Sequence, residues 1–117
     1  MVAYTTELND ENYETFINDS GLVIVDMYAE WCIPCKNMSS ILDELSSEYL
    51  DKIKIGKCNV DNCNEIVSEL NIKNIPTILI YKNHEIVETI YGSILKTKLV
   101  EIIKVYKPKI YRVVIHE

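Results

Sequence analysis

Trp31-Cys32-Ile33-Pro34-Cys35-Lys36 follows the apolar run Leu22-Val23-Ile24-Val25, which one carboxylate, Asp26, interrupts. Two cysteines separated by two residues can close a small disulfide ring and reopen it without moving the rest of a fold. The apolar run predicts a strand, and the residues after Cys32 predict a helix. Cys32 therefore falls at a strand-to-helix junction. There the unpaired backbone N–H groups and the positive end of the helix dipole favour a thiolate over a thiol. Pro34 in the first helical turn costs little, because its missing N–H has no intrahelical partner. The stretch reads as a thiol–disulfide exchange site.

Outward from it, Leu22 to Tyr28 predicts a central strand that is apolar on both faces. Met38, Ile41, Leu42, Leu45 and Tyr49 recur at helical spacing within a helix from Ile33 to Leu50. Upstream, Asn9 is placed to cap a short helix through Asn18, with Tyr13, Phe16 and Ile17 inward, and a first strand is expected near Val2 to Thr5. Downstream, Ile53 to Val60 predicts a strand, and Asn62 with Glu65 resembles a capping box opening a helix that buries Ile66, Val67 and Leu70. Thr77 to Tyr81, a turn at Asn83-His84 and Ile86 to Tyr91 predict an antiparallel hairpin. Ser93 is placed to cap a last helix facing inward with Leu95, Leu99, Ile102, Ile103 and Tyr106, which Pro108 ends. The order β-α-β-α-β-α-β-β-α predicts an α/β fold, a central mixed five-stranded sheet flanked by four helices. Ile110 to Ile115 is strand-prone, so residues 1–107 are expected to form the domain and 108–117 a C-terminal extension packed on it.

With 117 residues, the chain fits one domain with a substantial core. Its net charge of −6, from 18 acidic and 12 basic residues, is spread along the sequence. No Lys/Arg cluster is interleaved with aromatics, so nucleic acid is not expected as a partner. No apolar run approaches the roughly 20 residues that span a bilayer, so no membrane association is expected. The first residues, Met1 to Glu7, combine neither a basic region nor a long apolar segment, which leads to the expectation of a reducing, cytoplasmic setting. In such a setting a Cys-x-x-Cys pair signals redox or metal chemistry rather than a structural bridge.

Joined to Asp26, Ala29, Lys57, Asp61, Pro76, Thr77 and Gly92, the Trp-Cys-x-Pro-Cys-Lys stretch resembles the thioredoxin family over roughly residues 5–106. That resemblance implies the thioredoxin fold and reduction of protein disulfides by a Cys32–Cys35 dithiol/disulfide cycle. Cys32 is then the nucleophile, Cys35 the resolving thiol, Asp26 a buried proton shuttle and Lys57 the cation that tunes it. A cis Pro76 is implied too, with the backbone of Ile75 open to a client strand and Trp31, Ile33, Pro34, Ile75, Pro76 and Gly92 forming the docking face. No bound cofactor is implied; electrons are expected to come from NADPH through thioredoxin reductase, the partners are that reductase and disulfide-containing clients, and the chain is expected to be a monomer.

The departures from the family pattern carry their own expectations. Ile33 stands where glycine is usual and adds no charge or donor, so it is expected to leave the pair reducing and make docking more selective. Tyr28 replaces a common Trp, and Asn71, Asn74 and His84 replace frequent glycines; Asn tolerates positive φ, whereas His84 suggests a different turn type. Cys58 is expected in the core, and Cys63, opening a helix, partly exposed and the better candidate for oxidation. A zinc site on Cys32, Cys35, Cys58 and Cys63 has spacing unlike common zinc ribbons, and no metal is expected. His84 and His116 are expected at the surface. The rival readings are a thioredoxin-fold oxidant or isomerase, and a thioredoxin domain retained as a protein-binding subunit.

Overall fold

Leu22–Tyr28 forms the central strand β2, and only Tyr28 at its end is not fully buried. The computed structural model describes residues 2–113. Around β2 lie β1 (Thr5–Leu8), β3 (Ile53–Asn59), β4 (Thr77–Lys82) and β5 (Glu85–Tyr91), in the order β1-β3-β2-β4-β5. β1, β3 and β2 run parallel, and β4 and β5 are antiparallel to their neighbours, so the sheet is mixed. Four helices complete the fold: α1 (Tyr13–Ile17), α2 (Ile33–Glu48), α3 (Asn64–Glu69) and α4 (Lys96–Tyr106).

Alternation along β2 divides the core in two, because successive side chains leave a strand on opposite faces. Leu22 and Ile24 meet Met38, Leu42 and Leu45 of α2 and Leu99 and Ile103 of α4. Val23, Val25 and Met27 meet Tyr13 and Ile17 of α1 and Ile66 of α3. Asp26 continues the first set, which places its carboxylate on the α2 side. On the other face Gly56 permits close approach, since a Cβ there would lie 2.6 Å from Leu8 Cδ1 and 2.8 Å from Phe16 Cε2.

Several elements differ from the sequence-based expectation. β1 occupies Thr5–Leu8 rather than the region near Val2 to Thr5: Leu8 is its buried anchor, whereas Val2 is exposed. α1 is shorter than expected, because the Asn9 side chain instead accepts the N–H groups of Glu11 and Asn12 in a turn before the helix. The Asn62–Glu65 capping box does not form; Cys63 is the N-cap of α3, and the Asp10 carboxylate accepts the N–H groups of Glu65 and Ile66. Ser93 does not cap α4, which begins after an extended and exposed Leu95. Asn83 (φ 52°) and His84 (φ 67°) both take left-handed conformations. Such a primed turn matches the right-handed twist of the two strands. His84 sits there half-exposed, its ring 2.6 Å from Glu14. Asn71 also takes positive φ (55°), as a glycine substitute does.

The segment after α4 forms no strand over residues 110–113; the rest of the strand-prone stretch, and His116, lie outside the described residues. Ile110 is buried in the core with Leu45, Tyr49 and Ile103. The Val113 N–H donates to the Glu48 carbonyl at the end of α2, so this backbone pairs with a helix terminus rather than a sheet edge.

Candidate active site

Cys32 is the N-cap of α2, in extended backbone conformation, with Pro34 in the first helical turn. Its sulfur accepts the N–H of Cys35 at 3.3 Å. An N-cap side chain normally supplies an oxygen to an orphan donor; here the sulfur fills that place, and a negative charge on it gains from the bond and from the dipole of a 16-residue helix. Cys32 and Cys35 are joined as a disulfide with Cα atoms 5.3 Å apart. Both are buried, packed with Ala29 and flanked by Tyr28, Val60 and Ile75.

Around this pair the surface is apolar. Trp31 is 70% and Ile33 77% exposed. The Trp31 indole N–H donates to Asp61 Oδ2 at 3.0 Å, which fixes the ring. The Ile75–Pro76 peptide is cis, and the N–H of Gly92 (φ 80°) donates to the Pro76 carbonyl at 2.8 Å. That bond ties the end of the hairpin to the loop beside the disulfide. Tyr91, also 70% exposed, extends the face. An open cleft of about 390 Å³ runs along the other side of Cys35, lined by Tyr28, Ala29, Glu30, Lys36 and Ser39. A larger groove of about 540 Å³, bordered by Phe16, Asp51 and Lys107, touches neither cysteine.

Asp26 is wholly buried, and neither carboxylate oxygen has a hydrogen-bond partner among the described residues. Burial pushes its pKa up to about 7, the nearby Lys57 charge opposes the rise, and Glu7 and Asp43 reinforce it. Lys57 is the register partner of Asp26 on β3. Its ammonium, however, bonds to Asp43 Oδ1 at 2.6 Å and Ser39 Oγ at 2.5 Å, both on α2.

The structure thus gathers Trp31, Cys32, Ile33, Pro34, Cys35, Ile75, Pro76 and Gly92 at one end of the sheet, with Asp26 and Lys57 beneath. It does not gather Cys58 and Cys63 there. Cys63 is fully buried rather than partly exposed, because α3 closes over it against β1 and β3. Its thiol donates to the Leu8 carbonyl at 3.4 Å, Cys58 lies in the same buried cluster, and burial raises the pKa of both. Sequence reasoning gave no role to Ser39, Asp43 or Asp10. The i, i+4 spacing of Ser39 and Asp43 is the only sequence signal for a shared helix face, and it does not name the cation they hold.

Among known proteins, the thioredoxin family profile matches residues 4–105. A chloroplastic M-type thioredoxin of Spinacia oleracea is 40% identical over 101 residues, 86% of this chain and 56% of that protein. Thioredoxin C-2 of Corynebacterium nephridii is 39% identical over 100 residues, 85% of this chain and 93% of the relative. The thioredoxin of Haemophilus influenzae is 37% identical over 97 residues, 82% and 91% respectively. No helix among the described residues is long and apolar enough to cross a membrane. With the disulfide at the head of α2, the cis-proline loop beside it and the mixed five-stranded sheet behind, this chain belongs to the thioredoxin family, thiol–disulfide oxidoreductases of the protein-disulfide-reductase type, with Cys32–Cys35 as its redox-active pair.

Proposed function

We propose that the reduced protein donates two electrons to disulfides of client proteins, with Cys32 attacking and Cys35 resolving. The observation that carries this is the Cys35 N–H aimed at Cys32 Sγ, an arrangement that favours a thiolate once the pair is reduced. The Cys32 thiolate attacks one sulfur of the client disulfide, forming a mixed disulfide and expelling a client thiolate. Cys35 then loses its proton, with Asp26 as acceptor, and attacks Cys32 Sγ. The second client thiolate leaves, and the Cys32–Cys35 disulfide remains. A carboxyl titrating near 7 suits that transfer, being able to take and return a proton at neutral pH. Lys57 tunes Asp26 through space.

Clients dock on Trp31, Ile33, Pro34, Ile75, Pro76 and Gly92, an apolar face around Cys32 in which Trp31, Ile33 and Pro34 are exposed, Ile75 and Gly92 half-buried and Pro76 buried. Residues 1–107 carry the chemistry, and Ile110, after α4, braces the domain from the core. NADPH, through a thioredoxin reductase, regenerates the dithiol in a cytoplasmic setting; the two free core thiols, Cys58 and Cys63, fit a reducing compartment.

The test is the reduction potential of the Cys32–Cys35 pair, measured against a dithiol buffer in the wild type and in Cys58→Ala/Cys63→Ala. A potential more reducing than the glutathione pool is expected in both. A potential at or above that of glutathione would instead assign the chain to oxidation or isomerisation. Ile33→Gly, assayed on several clients, should change their relative rates; equal rates for every client would remove Ile33 from docking.

A further inference from the structure

Asp26 and Lys57 face each other across β2 and β3, yet they do not form an ion pair. The Lys57 ammonium has three hydrogens to donate, and its contacts are Asp43 Oδ1 (2.6 Å), Ser39 Oγ (2.5 Å) and the Ser39 carbonyl (3.5 Å), all on α2. Ser39 and Asp43 are one turn apart on the same helix face and form a two-point seat for the cation. The lysine side chain is 12% exposed and that of Asp43 29%, so solvent only partly screens the pair. The seat has two effects on Asp26. It withholds the one neighbouring cation from direct contact, and it adds a second negative charge nearby.

The charged groups that bear on Asp26 come from three of the elements around it. β3 supplies Lys57, β1 supplies Glu7 and α2 supplies Asp43. β4 places only Ile78 opposite. Among the described residues Lys57 is therefore the single cation that bears on Asp26, and the position of its ammonium decides how strongly it does so.

We propose that Asp43 is a positioning residue of the redox site: with Ser39 it seats the Lys57 ammonium on α2, away from the Asp26 carboxylate, and so favours the proton on Asp26. This deepens the proposed mechanism and rests on Asp26 being the proton acceptor for Cys35. Without Asp43, Lys57 swings toward its register partner and pairs with it, and Asp26 ionises at lower pH.

The experiment is an NMR titration of the Asp26 carboxyl carbon in the oxidised, aspartate-labelled protein, where no active-site thiol titrates. In Asp43→Asn the midpoint should fall by about one unit, a tenfold change in the ionisation equilibrium. Lys57→Met should raise it. In the double variant, Asp43→Asn should lose at least half its effect, because its route through Lys57 is gone. Asp43→Glu, which keeps the carboxylate, should stay near the wild type. Ser39→Ala gives a smaller fall by a second route, so the test survives a poorly folded Asp43→Asn. No fall in either variant, or an equal fall with and without Lys57, overturns the proposal; the latter is plain loss of a like charge. The pH profile of client-disulfide reduction separates the two readings. A moved midpoint with an unmoved profile supports the hold of Asp43 on Asp26 and overturns the part of Asp26 in exchange.

Discussion

Cys32 and Cys63 are both N-cap residues of helices, and they face opposite chemical fates. Cys32 heads a 16-residue helix and accepts a backbone N–H through its sulfur. Cys63 heads a six-residue helix, gives its own proton to the Leu8 carbonyl, and leaves the helix N–H groups to the Asp10 carboxylate. One sulfur is placed as an acceptor, which a thiolate does better; the other is placed as a donor, which only a thiol can do. Position at a helix start is thus not enough to make a cysteine reactive. What separates the two is the direction of the hydrogen bond and who else occupies the cap.

The broadest break in that comparison comes from removing the sulfurs themselves. Cys32→Ser should abolish client-disulfide reduction, and Cys35→Ser should accumulate the mixed disulfide, whereas Cys58→Ala and Cys63→Ala should each stay within about twofold of wild type in an insulin-reduction assay. A comparable loss in Cys63→Ala would give the second pair a part in turnover.

Next in size is the energetic burden of the active end of the molecule, where Asp26 lies buried with no hydrogen-bond partner among the described residues. Between pH 4 and about 7 the native protein holds a proton on Asp26 that the unfolded chain has lost. The native state therefore binds more protons in this window, and stability falls as pH rises through it. Asp26→Asn has no such term. Relative to the wild type it should gain about 4 kcal/mol on going from pH 4 to pH 8, read by urea unfolding at both values. A pH-independent difference would mean that Asp26 titrates as an exposed carboxylate does.

Alkylation sharpens the contrast between the cysteines at intermediate scale. In the reduced native protein at neutral pH, iodoacetamide should modify Cys32 roughly 100-fold faster than Cys58 or Cys63, by peptide mass mapping. The gap should close in denaturant. Smallest of all, Asp10→Ala should cost about 1 kcal/mol through the lost cap on α3. It should also speed alkylation of Cys63 while leaving client reduction unchanged.

Legibility in the sequence followed the range of the interaction. Leu22–Tyr28 was readable because a buried central strand is apolar throughout, and Ile33–Glu48 because its inward residues repeat at helical spacing. The disulfide, its junction and the companion Asp26 lie within ten residues of one another. The Asp10 cap on α3 and the Lys57–Asp43 pair were not readable, since each joins elements whose contact exists only after folding. Cys63 was misjudged for the same reason: local logic exposes a helix start, and burial came from β1, β3 and the Cys58 neighbour. β1 was displaced because an edge strand with mostly exposed residues has a weak apolar pattern. At His84 the residue's reluctance to take positive φ yielded to the twist of the hairpin it closes.

The bond from the Val113 N–H to the Glu48 carbonyl has a practical consequence for anyone attaching cargo to this protein. It fastens residue 113 to the end of α2 opposite Cys32. A helix of 16 residues measures roughly 24 Å. A dye, tether or second protein linked beyond that anchor starts about that far from the reacting sulfur. Immobilised through that anchor, the protein leaves the Cys32–Cys35 end of α2 turned outward.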